Sequence, residues 1–305
     1  MRHDTTYTFL FAGAVCVVCA ILVSSSAVSL SELQQINATL DKQKNVLLAA
    51  GLASASEKLS AEEIQQRFGN IKALAIDLET GEVAAGIDPS SFNQRKAAAN
   101  PETSRVAPPN LSVIKRLPDH AVIYHVLDES GDVTMMVLPI EGYGLWSTLY
   151  GFLALDADTK TIRGITYYEH RETPGLGGEV DNPNWKSLWP GRVAFDDSGK
   201  PAITVMKGQA GSPEQDPHRV DGLSGATITS RGVTNMLQFW LGENGFAAYL
   251  EKFRAQQRHK GMAQLRSDFP LSDDGSANLR LYGSAARRLK RSTALQLNGS
   301  TDQRI

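Results

Sequence analysis

A hydroxyl-rich motif lies at the point where the sequence predicts the start of a helix. Residues 221–230 read Asp-Gly-Leu-Ser-Gly-Ala-Thr-Ile-Thr-Ser. Apolar residues then follow with the i, i+3, i+4, i+7 spacing of an amphipathic helix: Val233, Met236, Leu237 and Trp240. This helix is predicted from about residue 228 to residue 241, and Gly242 and Gly245 supply its stop. Thr227 therefore lies at the helix N-terminus, where free backbone N–H groups and the positive end of the helix dipole favour a phosphate.

The residues around Thr227 suit a phosphoester. Gly225 lets the backbone approach a phosphate closely, and Ala226 keeps the neighbouring space clear. The Thr227 hydroxyl is then well placed to carry the ester, with Ser224 and Asp221 in the same motif. The alternative is an ordinary Ser/Thr-rich helix cap, which a short motif alone does not exclude.

Two glycine-rich loops suggest a site for a flat ligand. Residues 142–147 read Gly-Tyr-Gly-Leu-Trp-Ser, and residues 170–178 read His-Arg-Glu-Thr-Pro-Gly-Leu-Gly-Gly. Hydrogen-bonding groups at Glu172 and Thr173 suit a heterocycle with donor and acceptor edges, such as isoalloxazine. Apolar walls for such a ring are offered by Leu145, Trp146 and Leu176. The alternatives are ordinary glycine turns and, for Trp146, a place in the core.

Composition limits the class of protein. The chain has 305 residues, a formal net charge of −2 and 42% hydrophobic residues, enough for one sizeable domain with accessory segments. The near-neutral charge argues against nucleic acid as a partner. Cys16 and Cys19 lie in the most apolar segment, where they form neither a disulfide framework nor a zinc site; we interpret them as packing residues. No metal site is predicted.

The N-terminal segment is predicted to anchor the chain in a membrane. Residues 5–31 contain no charged side chain, and residues 9–23 are almost wholly apolar, long enough to span a bilayer as a helix. The alternative is a signal peptide cleaved near residues 24–27. A thin basic N-terminal region and an uninterrupted helical pattern after the apolar run favour a retained anchor. We expect a single-pass protein of a bacterial inner membrane with its soluble part in the periplasm.

The order of the remaining elements predicts an α+β fold with a largely antiparallel sheet and packed helices. Helices are predicted at 32–50, 57–68, 228–241 and 246–257, and strands at 72–78, 121–127, 133–138, 148–155, 161–168 and 202–206. The predicted organisation is an anchor (1–30), a helical connector with a strand and a loose insertion at 85–112 (31–118), a ligand-binding domain (119–257) and a polar, basic tail (258–305).

The motifs together resemble a known family. Asp-Gly-Leu-Ser-Gly-Ala-Thr resembles the flavinylation signature of the FMN-binding domain of bacterial respiratory complexes. Gly-Tyr-Gly-Leu-Trp-Ser, Glu-Thr-Pro-Gly-Leu-Gly and Ser-Gly-Ala-Thr, in this order behind one anchor, resemble the C-subunit family of sodium-translocating NADH:quinone reductases. The likeness includes residues 45–51 and 205–208 and extends to about residue 257. The insertion at 85–112 and the tail depart from the family pattern.

The resemblance implies a cofactor and its attachment. It implies FMN esterified through its phosphate to Thr227, and a flavin pocket that includes the residues matching Glu172, Thr173 and Leu176. Lys207 would add a positive charge near the flavin or its phosphate, or it is a surface lysine. Asp221 would serve recognition by a separate periplasmic flavin transferase that uses FAD and Mg²⁺, or the geometry of the loop.

The resemblance also implies partners and a role. The FMN would relay electrons from iron–sulfur centres to a second covalent FMN on the way to ubiquinone, within a complex that also contains the A, B, D, E and F subunits. Two other functions stay open from the sequence: the G subunit of the Rnf ion-translocating electron transport complex, and a membrane-anchored module that binds a phosphate ligand non-covalently. A structural assembly subunit with an unused flavin motif is a further alternative.

Overall fold

A computed structural model describes residues 5–268 of the chain. The helices are α1 (Thr5–Ala49), α2 (Ala61–Phe68), α3 (Gln94–Ala99), α4 (Pro183–Lys186), α5 (Thr227–Leu241) and α6 (Ala247–Asp268). The strands are β1 (Ile71–Asp77), β2 (Ser104–Val106), β3 (Arg116–Pro118), β4 (His120–Leu127), β5 (Val133–Tyr143), β6 (Thr148–Asp156), β7 (Ile162–Glu169), β8 (Thr204–Val205) and β9 (Arg219–Val220). A 3₁₀ turn covers Gly177–Asp181.

The centre of the molecule is a five-stranded antiparallel sheet with the order β1-β4-β5-β6-β7. The two predicted hairpins are confirmed as β4–β5 and β6–β7, and β5 also pairs with β6, so these four strands form a meander. The α+β class with a largely antiparallel sheet is confirmed. Consecutive residues of β4, β5 and β6 are buried, so both faces of this sheet are apolar and must be covered by helices.

One face of the sheet is covered by the end of α1. Val46 and Leu47 are fully buried there, in a cluster with Val137 and Phe152. Gly164 of β7 permits this contact, because a Cβ at that position would collide with the carbonyl oxygen of Ala49. The predicted helix at 32–50 is thus the end of one long helix that is anchored on the sheet.

The beginning of α1 is exposed and apolar. The helix is long and apolar enough to cross a membrane, and none of its most apolar stretch is buried. It runs without a break through residues 24–27, the alternative cleavage site, into the segment that packs on the sheet. This continuity fits a single-pass anchor.

The opposite face of the sheet is covered by α5. The predicted apolar stripe is confirmed as buried: Val233, Met236, Leu237 and Trp240. Trp240 Nε1 donates to the carbonyl oxygen of Glu141 in β5 at 2.7 Å. Gly142 in β5 and Gly232 in α5 allow the helix to approach, because a Cβ at Gly142 would lie 2.7 Å from Met236 Cβ. The start of α5 is therefore held at a fixed place above the end of β5.

Two segments before α5 differ from the predictions. The strand predicted at 202–206 is reduced to the two residues of β8, which pair in parallel with β9 in a separate two-stranded sheet. The segment 85–112 contains α3 and β2, and β2 pairs with β3. Arg95 of α3 forms an ion pair with Glu169 at 2.6 Å, so polar contacts order a segment with few large apolar residues.

The last helix is longer than predicted. α6 begins at Ala247 and continues past residue 257 to Asp268. Contacts divide the chain into two units: the first ends at Lys252, and the second begins at Phe253 within α6. The predicted tail (258–305) includes a group of basic residues, Arg287, Arg288, Lys290 and Arg291, which lies outside the described residues.

Candidate functional site

Thr227 is the first residue of α5, and its side chain is exposed. Ala226 precedes it and supplies no side-chain cap. The first helical hydrogen bond runs from Ser230 N–H to the carbonyl oxygen of Ala226 (3.0 Å). Within the described residues, the amides at 227–229 therefore have no protein acceptor, which leaves an open anion-binding helix start.

The motif offers four hydroxyl groups, but the structure separates them into two pairs. Thr229 and Ser230 are buried at 0% and 4% exposure and are already hydrogen-bonded. Ser230 Oγ accepts from the backbone N–H of Leu223 at 3.0 Å, which fixes the loop before α5. Ser224 and Thr227 are exposed, and of these two only Thr227 stands at the helix start.

A cavity of about 790 Å³ lies beside Thr227. This volume is within the range of about 300–1,000 Å³ typical of small-molecule and cofactor sites. Its lining comprises residues 204–209, residues 221–225, Thr227, Ser230, Arg231 and Thr234. The cavity thus joins the predicted residues Lys207, Asp221 and Thr227 in one place.

Of the charged residues that line this cavity, the acidic one is hydrogen-bonded to the protein and the two basic ones form no ion pair within the described residues. Lys207 and Arg231 are exposed, and neither forms an ion pair within residues 5–268. One carboxylate oxygen of Asp221 accepts from the backbone N–H of Ala210 (2.9 Å), and its carbonyl oxygen accepts from Trp185 Nε1 (2.8 Å). Asp221 therefore shapes the loop, while two cations line the cavity without an ionic partner in the described part of the chain. A hydroxyl, free amides, two cations and a cavity of this size fit a phosphorylated cofactor such as FMN.

The carboxylate of Glu172 points into the protein. It is 5% exposed and accepts from the backbone N–H groups of Leu145 (3.1 Å), Trp146 (2.9 Å) and Ser147 (3.2 Å). Its other oxygen accepts from Thr229 Oγ1 at 2.8 Å. The sequence predicts Glu172 as a hydrogen-bonding group for a heterocycle; in the structure its oxygens are directed at protein donors instead. Glu172 ties the loop at 144–147 to the first turn of α5.

Two glycines make room for this buried carboxylate. A Cβ on Gly144 would lie 2.7 Å from Glu172 Oε1, and a Cβ on Gly177 would lie 2.6 Å from Glu172 Oε2. Both glycine-rich loops therefore close around Glu172. Gly144 and Gly177 serve this packing, whereas Gly175 (φ 77°), with open space around it, is a turn glycine.

The predicted apolar wall lies at the surface. Leu145, Trp146 and Leu176 are 37%, 66% and 44% exposed. The core alternative for Trp146 is therefore wrong. Leu176 borders the motif loop, because a Cβ on Gly225 (φ 71°) would lie 2.8 Å from Leu176 Cδ2. Thr173 is exposed, and its carbonyl oxygen accepts from the backbone N–H groups of Leu176 and Gly178 in the turn.

Sequence reasoning missed two residues of this site. Arg231 lines the cavity one helical turn after Thr227, and Thr229 bonds Glu172. The i, i+4 spacing of Thr227 and Arg231 is visible in the sequence and places both on one face of the helix. No local sequence pattern predicts the side-chain hydrogen bond between Thr229 and Glu172.

Comparison with known proteins identifies the family of this chain. Residues 144–242 match the FMN-binding domain family; this range includes residues 144–147 of the first glycine-rich loop, the whole second loop and α5. A relative from Yersinia pestis, the C subunit of Na(+)-translocating NADH-quinone reductase, is 46% identical over 250 residues, covering 81% of this chain and 92% of the relative. The chain belongs to the C-subunit family.

Further members of the C-subunit family support the assignment. The corresponding protein of Pseudomonas aeruginosa is 42% identical over 257 residues, covering 83% of this chain and 97% of the relative. The crystal structure of Shewanella oneidensis NqrC superposes with a TM-score of 0.66 at 39% identity, covering 72% of this chain and 99% of that one. The C-subunit structure from Parabacteroides distasonis gives a TM-score of 0.55 at 27% identity, covering 72% of this chain and 96% of that one. The resemblance drawn from the motifs is confirmed, and the chain carries an FMN-binding domain.

Proposed function

We propose that this chain is the subunit of a sodium-translocating NADH:ubiquinone reductase that carries FMN esterified to Thr227. The proposal is carried by one observation: an exposed threonine hydroxyl at an uncapped helix start, beside a cofactor-sized cavity lined by Lys207 and Arg231. When bound, the FMN supplies electron transfer between iron–sulfur centres and a second FMN on the way to quinone.

The residues of the chain prepare Thr227 for attachment. The donor is FAD, presented with Mg²⁺ by a separate periplasmic flavin transferase. In this reaction Thr227 Oγ would form a bond to the flavin phosphorus while the pyrophosphate P–O bond breaks. AMP would leave with the bridging oxygen, and a base would take the hydroxyl proton. The exposed hydroxyl permits this approach, and the hydrogen bonds of Asp221 and Ser230 hold the motif loop in place.

The anchor α1 and the hydrogen bonds of Glu172 would determine the position of the flavin. The anchor α1 would keep the domain at the periplasmic face of the inner membrane, among the A, B, D, E and F subunits of the complex. Glu172 would keep the loop bearing Trp146 in a constant position relative to Thr227. A covalent bond prevents loss of the cofactor to the dilute periplasm.

The test uses the full chain, co-expressed with the transferase and separated on a denaturing gel. The wild type should show flavin fluorescence, and Thr227→Val should lose it. Produced without the transferase, Thr227→Val should unfold at about the same midpoint as the flavin-free wild type, because the side chain is exposed. Ser224→Ala is the matched control, since it removes the other exposed hydroxyl of the motif. Covalent flavin that survives Thr227→Val would refute the proposal. Flavin released by denaturing the wild type would favour the non-covalent module instead.

A further inference from the structure

Arg231 occupies an electrostatically unfavourable position unless an anion lies beside it. It is the fifth residue of α5, whose first turn has no acidic residue and no capping side chain. A cation this close to a helix N-terminus faces the positive end of the dipole. Arg231 is exposed and forms no hydrogen bond or ion pair to any described residue.

The geometry directs Arg231 towards Thr227. Residues four apart on a helix are neighbours on its surface, and long helical side chains lean back towards the N-terminus. Both residues line the same cavity, together with Lys207 from the loop after β8. Asp221 also lines this cavity, and one of its carboxylate oxygens accepts from the backbone N–H of Ala210. A planar guanidinium can contact two oxygens of one phosphate, which an ammonium group does not.

We infer that Arg231 is a positioning residue that holds the phosphate of the Thr227-linked flavin against the start of α5. The inference rests on the proposed function, because it requires the phosphoester. Arg231 neutralises the phosphate after attachment and favours the geometry in which the flavin donor meets the Thr227 hydroxyl. The phosphate in turn removes the unfavourable interaction between the guanidinium and the helix dipole.

Two measurements on the detergent-solubilised full chain test this role. The first is the initial rate of flavin incorporation by the transferase, followed by intact mass; Arg231→Gln should be about threefold to tenfold slower, as expected for one partly exposed charged contact. Arg231→Lys should recover part of the rate. The rate advantage of the wild type should shrink between about 0.1 M and about 1 M salt, because salt screens the contact.

The second measurement separates positioning from a merely structural role. Attached flavin should raise the unfolding midpoint of the wild type above that of Thr227→Val, and this increase should be smaller in Arg231→Gln than in the wild type. Arg258→Gln in α6 is the matched control, because it removes an exposed arginine that has no ion pair within residues 5–268 and does not line the cavity. It should behave as the wild type in both measurements.

The outcomes distinguish the inference from the proposed function. If the wild type carries flavin and Arg231→Gln matches Arg258→Gln in either measurement, the inference is overturned while the attachment at Thr227 stands. A wild type without covalent flavin would overturn both. Slower incorporation together with a smaller flavin-dependent stabilisation, found only in Arg231→Gln, supports the inference.

Discussion

Replacing Glu172 by Gln should loosen the loop at 144–147 and lower the stability of the FMN-binding domain. The carboxylate accepts from three consecutive backbone amides and from Thr229 Oγ1, at 2.8–3.2 Å. Glutamine keeps the size of the side chain but offers one oxygen and an NH₂ group. The perturbation therefore removes charge and one acceptor without making a cavity.

The magnitude follows from the hydrogen bonds that change. A hydrogen bond to a charged group contributes about 1.5–3 kcal/mol and a neutral one about 0.5–1.5 kcal/mol, a difference of about 1 kcal/mol for each of the three amide bonds. Removing a buried charge recovers part of this by lowering the cost of desolvation. We expect a net loss of about 2 kcal/mol, which lowers the unfolding midpoint of a domain of this size by about 4–8 °C.

The assay is amide hydrogen exchange on the full chain, with thermal unfolding beside it. In the wild type the amides of Leu145, Trp146 and Ser147 should be protected, because Glu172 accepts from each of them. In Glu172→Gln this protection should fall, while protection in the centre of the sheet is retained. Glu169→Gln is the control: it removes the same charge from an exposed ion pair with Arg95 and should cost about 1 kcal/mol or less. Equal protection of these three amides in Glu172→Gln and the wild type would refute the reasoning.

Two further predictions concern the core. Burial, with a smaller contribution from Lys72, lowers the pKa of His125 to about 4. The unfolded chain then binds a proton near pH 6.5 before the folded chain does, so the free energy of unfolding should fall by up to about 3 kcal/mol as the pH drops from about 6.5 to about 4. In urea unfolding across this pH range, the free energy of unfolding should depend less on pH in His125→Gln than in the wild type. The same pH dependence in both proteins would contradict the prediction. Gly232→Ala should destabilise by about 2 kcal/mol or more in the same assay, because its Cβ would collide with the carbonyl oxygen of Tyr143; Gly261→Ala, with open space around it, is the control and should not destabilise.

The long helices and strands can be predicted from the sequence because each is specified by a pattern of apolar residues within a short stretch of chain. The stripe ending at Trp240 follows from helical spacing, and the two hairpins follow from short apolar runs on either side of turn residues. The long α1 follows likewise from an apolar run that continues into a helical pattern. A two-residue strand such as β8 shows no period at all, so its parallel pairing could not be predicted.

The candidate site can be predicted only where its residues share one motif. Thr227 and its loop are contiguous, so their helix start is visible in the sequence. The bond between Glu172 and Thr229 joins residues 57 positions apart, and the ion pair of Arg95 with Glu169 joins residues 74 positions apart. Such contacts depend on how the sheet brings loops together. The sequence alone predicts Glu172 as a ligand contact. In the structure its carboxylate instead links the loop at 144–147 to the first turn of α5.

The most direct test of the central claim is the intact mass of the protein from its native membrane, followed by mapping of the peptide that contains Thr227. We predict a mass increase of one FMN less one water, located on the Thr227 side chain. Fully active reductase whose Thr227 peptide carries no modification would contradict the account.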